Sequence, residues 1–141
     1  MVDIHHNLIV HASREKVFEA FCTPNGLDSW WTLQSSGIPE IGNIYTFYFG
    51  PEYDWRAEIA HVIRGRELTW KMVTAMDDWM ETSVGFTLEE KEEKTHIHFF
   101  HLGWAEASEH FGITTFYWGQ LLNGLKNYVE KGIVIPHSNR N

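Results

Sequence analysis

The chain has 141 residues, a formal net charge of −8, 43% hydrophobic residues and 15% aromatic residues. The acidic balance argues against a nucleic-acid partner, which needs a basic surface, and against adhesion to an anionic membrane. A single cysteine, Cys22, rules out an intrachain disulfide framework.

No stretch approaches the roughly 18 apolar residues of a membrane span. The opening MVDIHHNLIV has neither the basic start nor the cleavage site of a signal peptide. The expectation is one cytoplasmic domain over residues 1–141.

Residues 3–11 alternate as a strand, with Leu8 and Val10 on one face and Ile9 and His11 on the other. Ser13 is an N-cap for REKVFEAFC, a helix with Val17, Phe18 and Phe21 on one side. Thr23-Pro24 restarts a short helix carrying Leu27, Trp30 and Trp31. The segment TLQSSGIPEIGN reads as loop, punctuated by Gly37, Pro39 and Gly42.

Four or five strands follow. NIYTFYFG puts Tyr45, Phe47 and Phe49 on one face; WRAEIAHVI and ELTWKMV form a hairpin around Arg64-Gly65-Arg66; SVGFTLE aligns Val84, Phe86 and Leu88. After the charged tip EEKEEK, THIHFFHLG returns as the last strand. A long helix is expected from about Glu106 to Lys131, with a stripe of Trp118, Leu122, Leu125 and Val129. Gly112, Gly119 and Gly124 interrupt it, as they would where the helix passes close to a neighbour. A curved antiparallel sheet with that helix across its concave face, an α+β fold, satisfies every apolar stripe.

The segment IVHASREKVFEAFCTPNGLDSWW resembles the opening of the activator of heat shock protein 90 ATPase homologue (AHSA) family. The matching residues are Val10, Ala12, Val17-Phe18, Leu27 and Trp30-Trp31. WGQLLNGLKNYVEKG is similar to that family's last helix at Trp118, Leu122, Leu125, Tyr128 and Val129. The hairpin SVGFTLEEKEEKTHIHFFHLGW fits its paired last strands. One position departs: Tyr117 stands where the family usually has glycine, and would fill space there.

The resemblance implies a START-like (SRPBCC) helix-grip fold, the fold of the birch-pollen allergen. Six or seven strands would wrap the C-terminal helix, with two short helices and a deep apolar cavity. It implies lipids, polyketides or flavonoids as ligands. Chaperone binding follows from it only weakly, because the eukaryotic co-chaperones carry a further domain.

The inward residues Trp30, Phe47, Trp70, Phe86, Phe99, Trp118 and Leu122 are the expected pocket lining, with ordinary core packing as the plainer reading of the rings. Alternation in THIHFFH sends His101 inward with Phe99, and His96, His98 and Phe100 outward. His101 reads either as a hydrogen-bonded core histidine, as a polar anchor for a ligand, or as an acid–base group. The outer imidazoles His5, His11, His96 and His98 lack the companion ligands of a metal motif, so neither metal nor cofactor is expected. Asp54, Arg56 and Glu58 read as a solvated strand face, and TAMDDWME as a lid or a plain turn.

Three functions stand beside one another. The first is binding of an apolar small molecule between sheet and helix. The second is an aromatase/cyclase-type enzyme using His101 with an Asp or Arg near the mouth; the sequence leaves catalysis open. The third is a stand-alone co-chaperone or interaction module, or a homodimer, using an outward patch of Ile9, Val62 and Phe100.

Overall fold

The computed structural model describes residues 1–140. Seven strands form one antiparallel sheet: β1 (Val2–Val10), β2 (Gln34–Ser36), β3 (Ile44–Tyr48), β4 (Asp54–Ile63), β5 (Glu67–Thr74), β6 (Ser83–Lys91) and β7 (Lys94–Trp104). Their spatial order is β1-β7-β6-β5-β4-β3-β2, so the first strand closes beside the last. Helices α1 (Arg14–Cys22) and α2 (Pro24–Trp30) connect β1 to β2, and α3 (Glu109–Lys131) follows β7. This is the helix-grip architecture. No helix among the described residues is long and apolar enough to cross a membrane.

The local chemistry explains the boundaries. Ser13 Oγ accepts from the Lys16 N–H at 3.2 Å, and Thr23 Oγ1 from the Gly26 N–H at 3.0 Å, which caps α1 and α2. The tip of the β6–β7 hairpin is Glu92-Glu93, both with positive φ (55° and 64°), the handedness that suits a two-residue hairpin. Helix α3 begins at Glu109 rather than Glu106, because Ser108 Oγ takes the Phe111 N–H at 3.2 Å. It ends at Gly132, whose φ of 69° is the left-handed cap.

The apolar faces converge. Trp118, Leu122, Leu125 and Val129 of α3 are all buried against the sheet. Phe21 of α1 stacks on Phe86 of β6 with ring centroids 4.0 Å apart. The Trp30 indole donates to the Ala20 carbonyl at 2.9 Å, and the Tyr45 hydroxyl to the Cys22 carbonyl at 2.6 Å, which ties α2 and β3 to the end of α1. At the other end, Glu130 accepts from the His11 N–H at 2.7 Å and from Lys126 at 2.8 Å, fastening α3 to the end of β1.

Three expectations need correction. Part of the expected loop is a strand: Gln34–Ser36 pairs with β3, and Gly37, at φ 140°, lies on the Tyr45 ring, where a Cβ would stand at 2.5 Å. Val62 does not face outward. A register shift between Ile59 and His61 flips the rest of β4, so Val62 pairs with buried Leu68 and packs on the core. The outward patch therefore loses Val62, and Phe100 instead lies over Gly85, where a Cβ would meet its ring at 2.7 Å. The helix glycines do not mark close approaches: nothing lies within 4 Å of a Cβ at Gly112 or Gly124, and only the His6 ring, at 3.7 Å, meets Gly119.

Gly26 is the tight contact between the two short helices. A Cβ there would sit 2.7 Å from the Ala20 backbone, which has no room to move. Gly26→Ala should lower unfolding free energy in urea by about 1–3 kcal/mol, the usual cost of overpacking; an unchanged midpoint would show that α1 and α2 can separate freely.

Candidate functional site

The interior beneath the sheet is filled with rings. Phe47 lies 5.5 Å from Trp70, Phe99 4.5 Å from Trp118, and Trp31 4.6 Å from Phe47, centroid to centroid. Trp30, Phe47, Trp70, Phe86, Phe99, His101, Trp118 and Leu122 are all buried, as core side chains packed on one another.

Open space lies at one end of that core. There a groove of about 450 Å³ runs between the N-terminal half of α3, the β3–β4 turn, the loop after β5 and the C-terminal tail. Its walls are Trp31, Phe49, Trp55, Trp79, Tyr117 and Trp118, with Arg140, His137 and His110 as polar members. Of the eight residues expected from sequence, Trp118 borders this groove; Trp30 borders a separate hollow beside Gln120 and Ile135. Tyr117 forms part of the wall, with 41% of its surface exposed, rather than plugging the interior.

The walls follow from the local backbone. Phe49 continues the inward alternation of β3, and Trp55 lies opposite Phe47 in the β3–β4 register. Their hairpin is closed by hydrogen bonds between Phe49 and Tyr53 (2.9 Å) and between Tyr53 and Gly50 (3.0 Å). Trp55 then meets Trp79 at 4.9 Å, and Trp79 stacks on Trp118 at 6.0 Å. Arg140 holds the tail against the core by donating to the Ile135, Thr32 and Asp28 carbonyls at 2.7, 3.1 and 2.8 Å. Burial lowers its pKa, while Asp28 opposes that shift. Burial and then the charge of Arg140 lower the pKa of His137 in the same groove.

His101 sits behind the groove, fully buried. The Trp118 indole N–H donates to its Nδ1 at 3.1 Å. Its Nε2 therefore carries the proton and donates to Thr82 Oγ1 at 2.9 Å, and Thr82 donates to the Trp79 carbonyl at 2.6 Å. Neither imidazole nitrogen is left for a ligand. Burial, and secondarily the charge of His110, push its pKa down to about 3. The TAMDDWME loop is thus tied to β7 through Trp79, as a fixed wall.

Two residues that sequence reasoning did not bring together meet at the groove. Asp78, in the 3-10 turn Asp77–Trp79, lies 2.6 Å from His110 Nδ1 in the first turn of α3. Their separation of 32 positions leaves no local pattern to find.

On the outer face, His5 and His98 stack with centroids 5.1 Å apart and share a 2.9 Å contact between ring nitrogens. Burial and the neighbouring His5 lower the pKa of His98. Among the described residues, no group of three or more His, Cys, Asp or Glu side chains is arranged to hold a metal ion. Cys22 is buried, and burial pushes its thiol pKa far up, so it is an inert core residue.

The family model described as Activator of Hsp90 ATPase homolog 1-like protein matches residues 11–130, and the chain belongs to that family. Comparison with curated proteins found no match. Among solved structures, the Aha1 dimer from Colwellia psychrerythraea is similar at 31% identity and a TM-score of 0.85, covering 94% of this chain and 98% of that one. A protein from Staphylococcus saprophyticus is similar in fold at 24% identity and a TM-score of 0.80, covering 95% of this chain and 96% of that one. DynU16, from the dynemicin biosynthetic locus, shares the fold at 21% identity and a TM-score of 0.78, over 92% of this chain and 48% of its own.

The His101 chain makes stability sensitive to acid. Folded, His101 stays neutral down to about pH 3. Unfolded, it takes a proton near pH 6.5. The unfolded state therefore binds more protons between those values, so this contribution to stability is intact above about pH 6.5 and lost as pH falls, by up to about 1.4 kcal/mol per pH unit. Urea unfolding from about pH 7.5 to about pH 4.5 should show that slope. His101→Gln should be less stable near neutrality by about 1–3 kcal/mol and flatter below it; parallel curves would reject the buried neutral imidazole.

Proposed function

We propose that this chain binds a small, flat, largely apolar molecule in the groove between α3 and the β3–β4 hairpin. The observation that carries this reading is the division of the interior: the expected cavity region is filled by packed rings, while the open volume is walled by tryptophan, tyrosine and phenylalanine. A volume of about 450 Å³ is within the size of small-molecule sites. Planar rings of the ligand would stack on Trp55, which is only half-buried, and such pairs gain from offset or edge contacts beyond area burial. Arg140 and His137 favour a ligand with one electron-rich or anionic edge. A polyketide- or flavonoid-like skeleton meets all three demands better than a lipid chain, which offers no face to stack.

Titration with a panel of polyphenols and aromatic acids should quench the tryptophan fluorescence saturably, and Trp55→Ala should weaken that binding about tenfold, the worth of one stacked ring. A panel without any saturable ligand, or a Trp55→Ala variant of unchanged affinity, would reject the site.

A second reading, self-association, is supported by the dimeric relative and by the solvent face of α3. Ile113, Phe116 and Tyr117 share that face, and Phe116 is 63% exposed. Sedimentation should then show a dimer that Phe116→Asp dissociates; a monomer at every concentration would remove this reading.

A further inference from the structure

His110 lines the aromatic groove, and its pairing with Asp78 is not needed to bind an apolar ligand. His110 occupies the second position of α3, after the Ser108 cap, where the helix backbone fixes its direction. Its Nδ1 faces Asp78 Oδ2 at 2.6 Å. An ionised carboxylate only accepts, so Nδ1 carries the proton and Nε2 of the neutral ring is left with its lone pair. Among the described residues no polar group pairs with that Nε2. The ring is braced from behind by Trp104, with centroids 5.7 Å apart.

The loop that carries Asp78 is tied down on its C-terminal side. The next residue, Trp79, is tied through its carbonyl to Thr82 and His101, and the Lys71 ammonium donates to the Glu81 carbonyl at 2.7 Å where the loop re-enters the sheet. A carboxylate that orients one imidazole nitrogen, while the other is left unpaired on a residue lining an aromatic groove, is the arrangement a general base uses. His101 has none of these properties, because both its nitrogens are taken inside the core.

We propose that His110, oriented by Asp78, is a general base that removes a proton from a carbon acid held in the aromatic groove. This rests on the ligand-binding reading above. The substrate class is a flat molecule with an acidic C–H beside a carbonyl. The C–H bond breaks, its proton passes to His110 Nε2, and the electron pair moves into the carbonyl to give an enolate. The imidazolium is balanced by Asp78. It then returns the same proton to the enolate, at oxygen or at another carbon, so the net change is an isomerisation that consumes no oxidant, reductant or second substrate. Arg140, in the same groove, adds positive charge that favours the enolate over the ketone. Asp78 is a positioning residue.

The test uses nitrobenzisoxazole, a flat bicyclic carbon acid. Loss of its ring proton sends the electron pair through the ring to break the N–O bond, leaving a coloured cyano-nitrophenolate, with no co-reactant. Nitrobenzotriazole has a similar shape but no labile C–H, and reports binding alone through tryptophan quenching. The wild-type chain should bind the triazole and turn over the isoxazole.

His110→Ala should lower kcat, read at saturation so that affinity does not enter, by at least about tenfold, and added imidazole should restore part of it. His110→Gln keeps a donor for Asp78 but has no basic nitrogen, and should lose kcat equally. Asp78→Asn should lose less. Triazole binding by the wild type without His110-dependent turnover overturns the base and leaves the binding site standing. A His110→Gln variant with full kcat shows that the pair only holds the loop, and also overturns it. Neither binding nor turnover by the wild type overturns both readings.

Discussion

A single relay of hydrogen bonds runs through the grooved end of this fold: Trp118 to His101, His101 to Thr82, and Thr82 to the Trp79 carbonyl. It joins the long helix, the last strand and the loop after β5 in one buried line. A neutral imidazole accepts at one nitrogen and donates at the other, as these two partners need. A charged ring would have nothing to give the Trp118 N–H, and an aliphatic side chain would leave that N–H unpaired in a dry interior while Thr82 kept only its bond to the Trp79 carbonyl. The two ends of the relay, Trp118 and Trp79, are also two walls of the groove. Packing of the core and shape of the site are therefore fixed by the same atoms.

The aromatic excess in the composition divides along that relay. On one side, Phe21, Tyr45, Phe47, Trp70 and Phe86 interlock under the sheet, leaving no room for a guest. On the other, Trp31, Phe49, Trp55, Trp79 and Tyr117 present surface to an opening. The indole N–H groups of Trp70, Trp79 and Trp104 are buried without an acceptor. Such orphaned donors cost about 1–3 kcal/mol each. Indole surface is tolerated at that cost because its area and rigidity outweigh one unpaired N–H, and two of the three, Trp79 and Trp104, flank His101 at 4.5 and 4.9 Å.

How much of this was legible in the chain depends on the range of the interactions. Strand alternation placed His101 inward and His98 outward, because period-two geometry is local. The stripe from Trp118 to Val129 marked the buried face of α3 for the same reason. What failed was what a neighbour decides. The bulge in β4 that turns Val62 inward arises from pairing with β5, and the three-residue strand Gln34–Ser36 exists only because β3 lies beside it. The resemblance pointed to the right fold and to an interior cavity, yet the groove is assembled from five separate stretches of chain, two of them irregular. Inward-facing was legible; which inward rings touch each other and which border space was not.

The groove's irregular wall shows why rigidity and exposure coexist there. A loop rich in Met and Trp beside two aspartates has the composition of a mobile lid. Here it re-enters β6 through Glu81 at φ 70°, a conformation that non-glycine side chains seldom adopt. The Lys71 ammonium on the Glu81 carbonyl and the Thr82 relay together hold that residue in place. Strain of this kind persists only where the surroundings over-determine it, and it tends to lie beside functional groups. In this chain it lies three residues from Asp78. Two buried hydrogen bonds through Thr82, with the exposed one from Lys71, fix the short loop that places Asp78 beside His110.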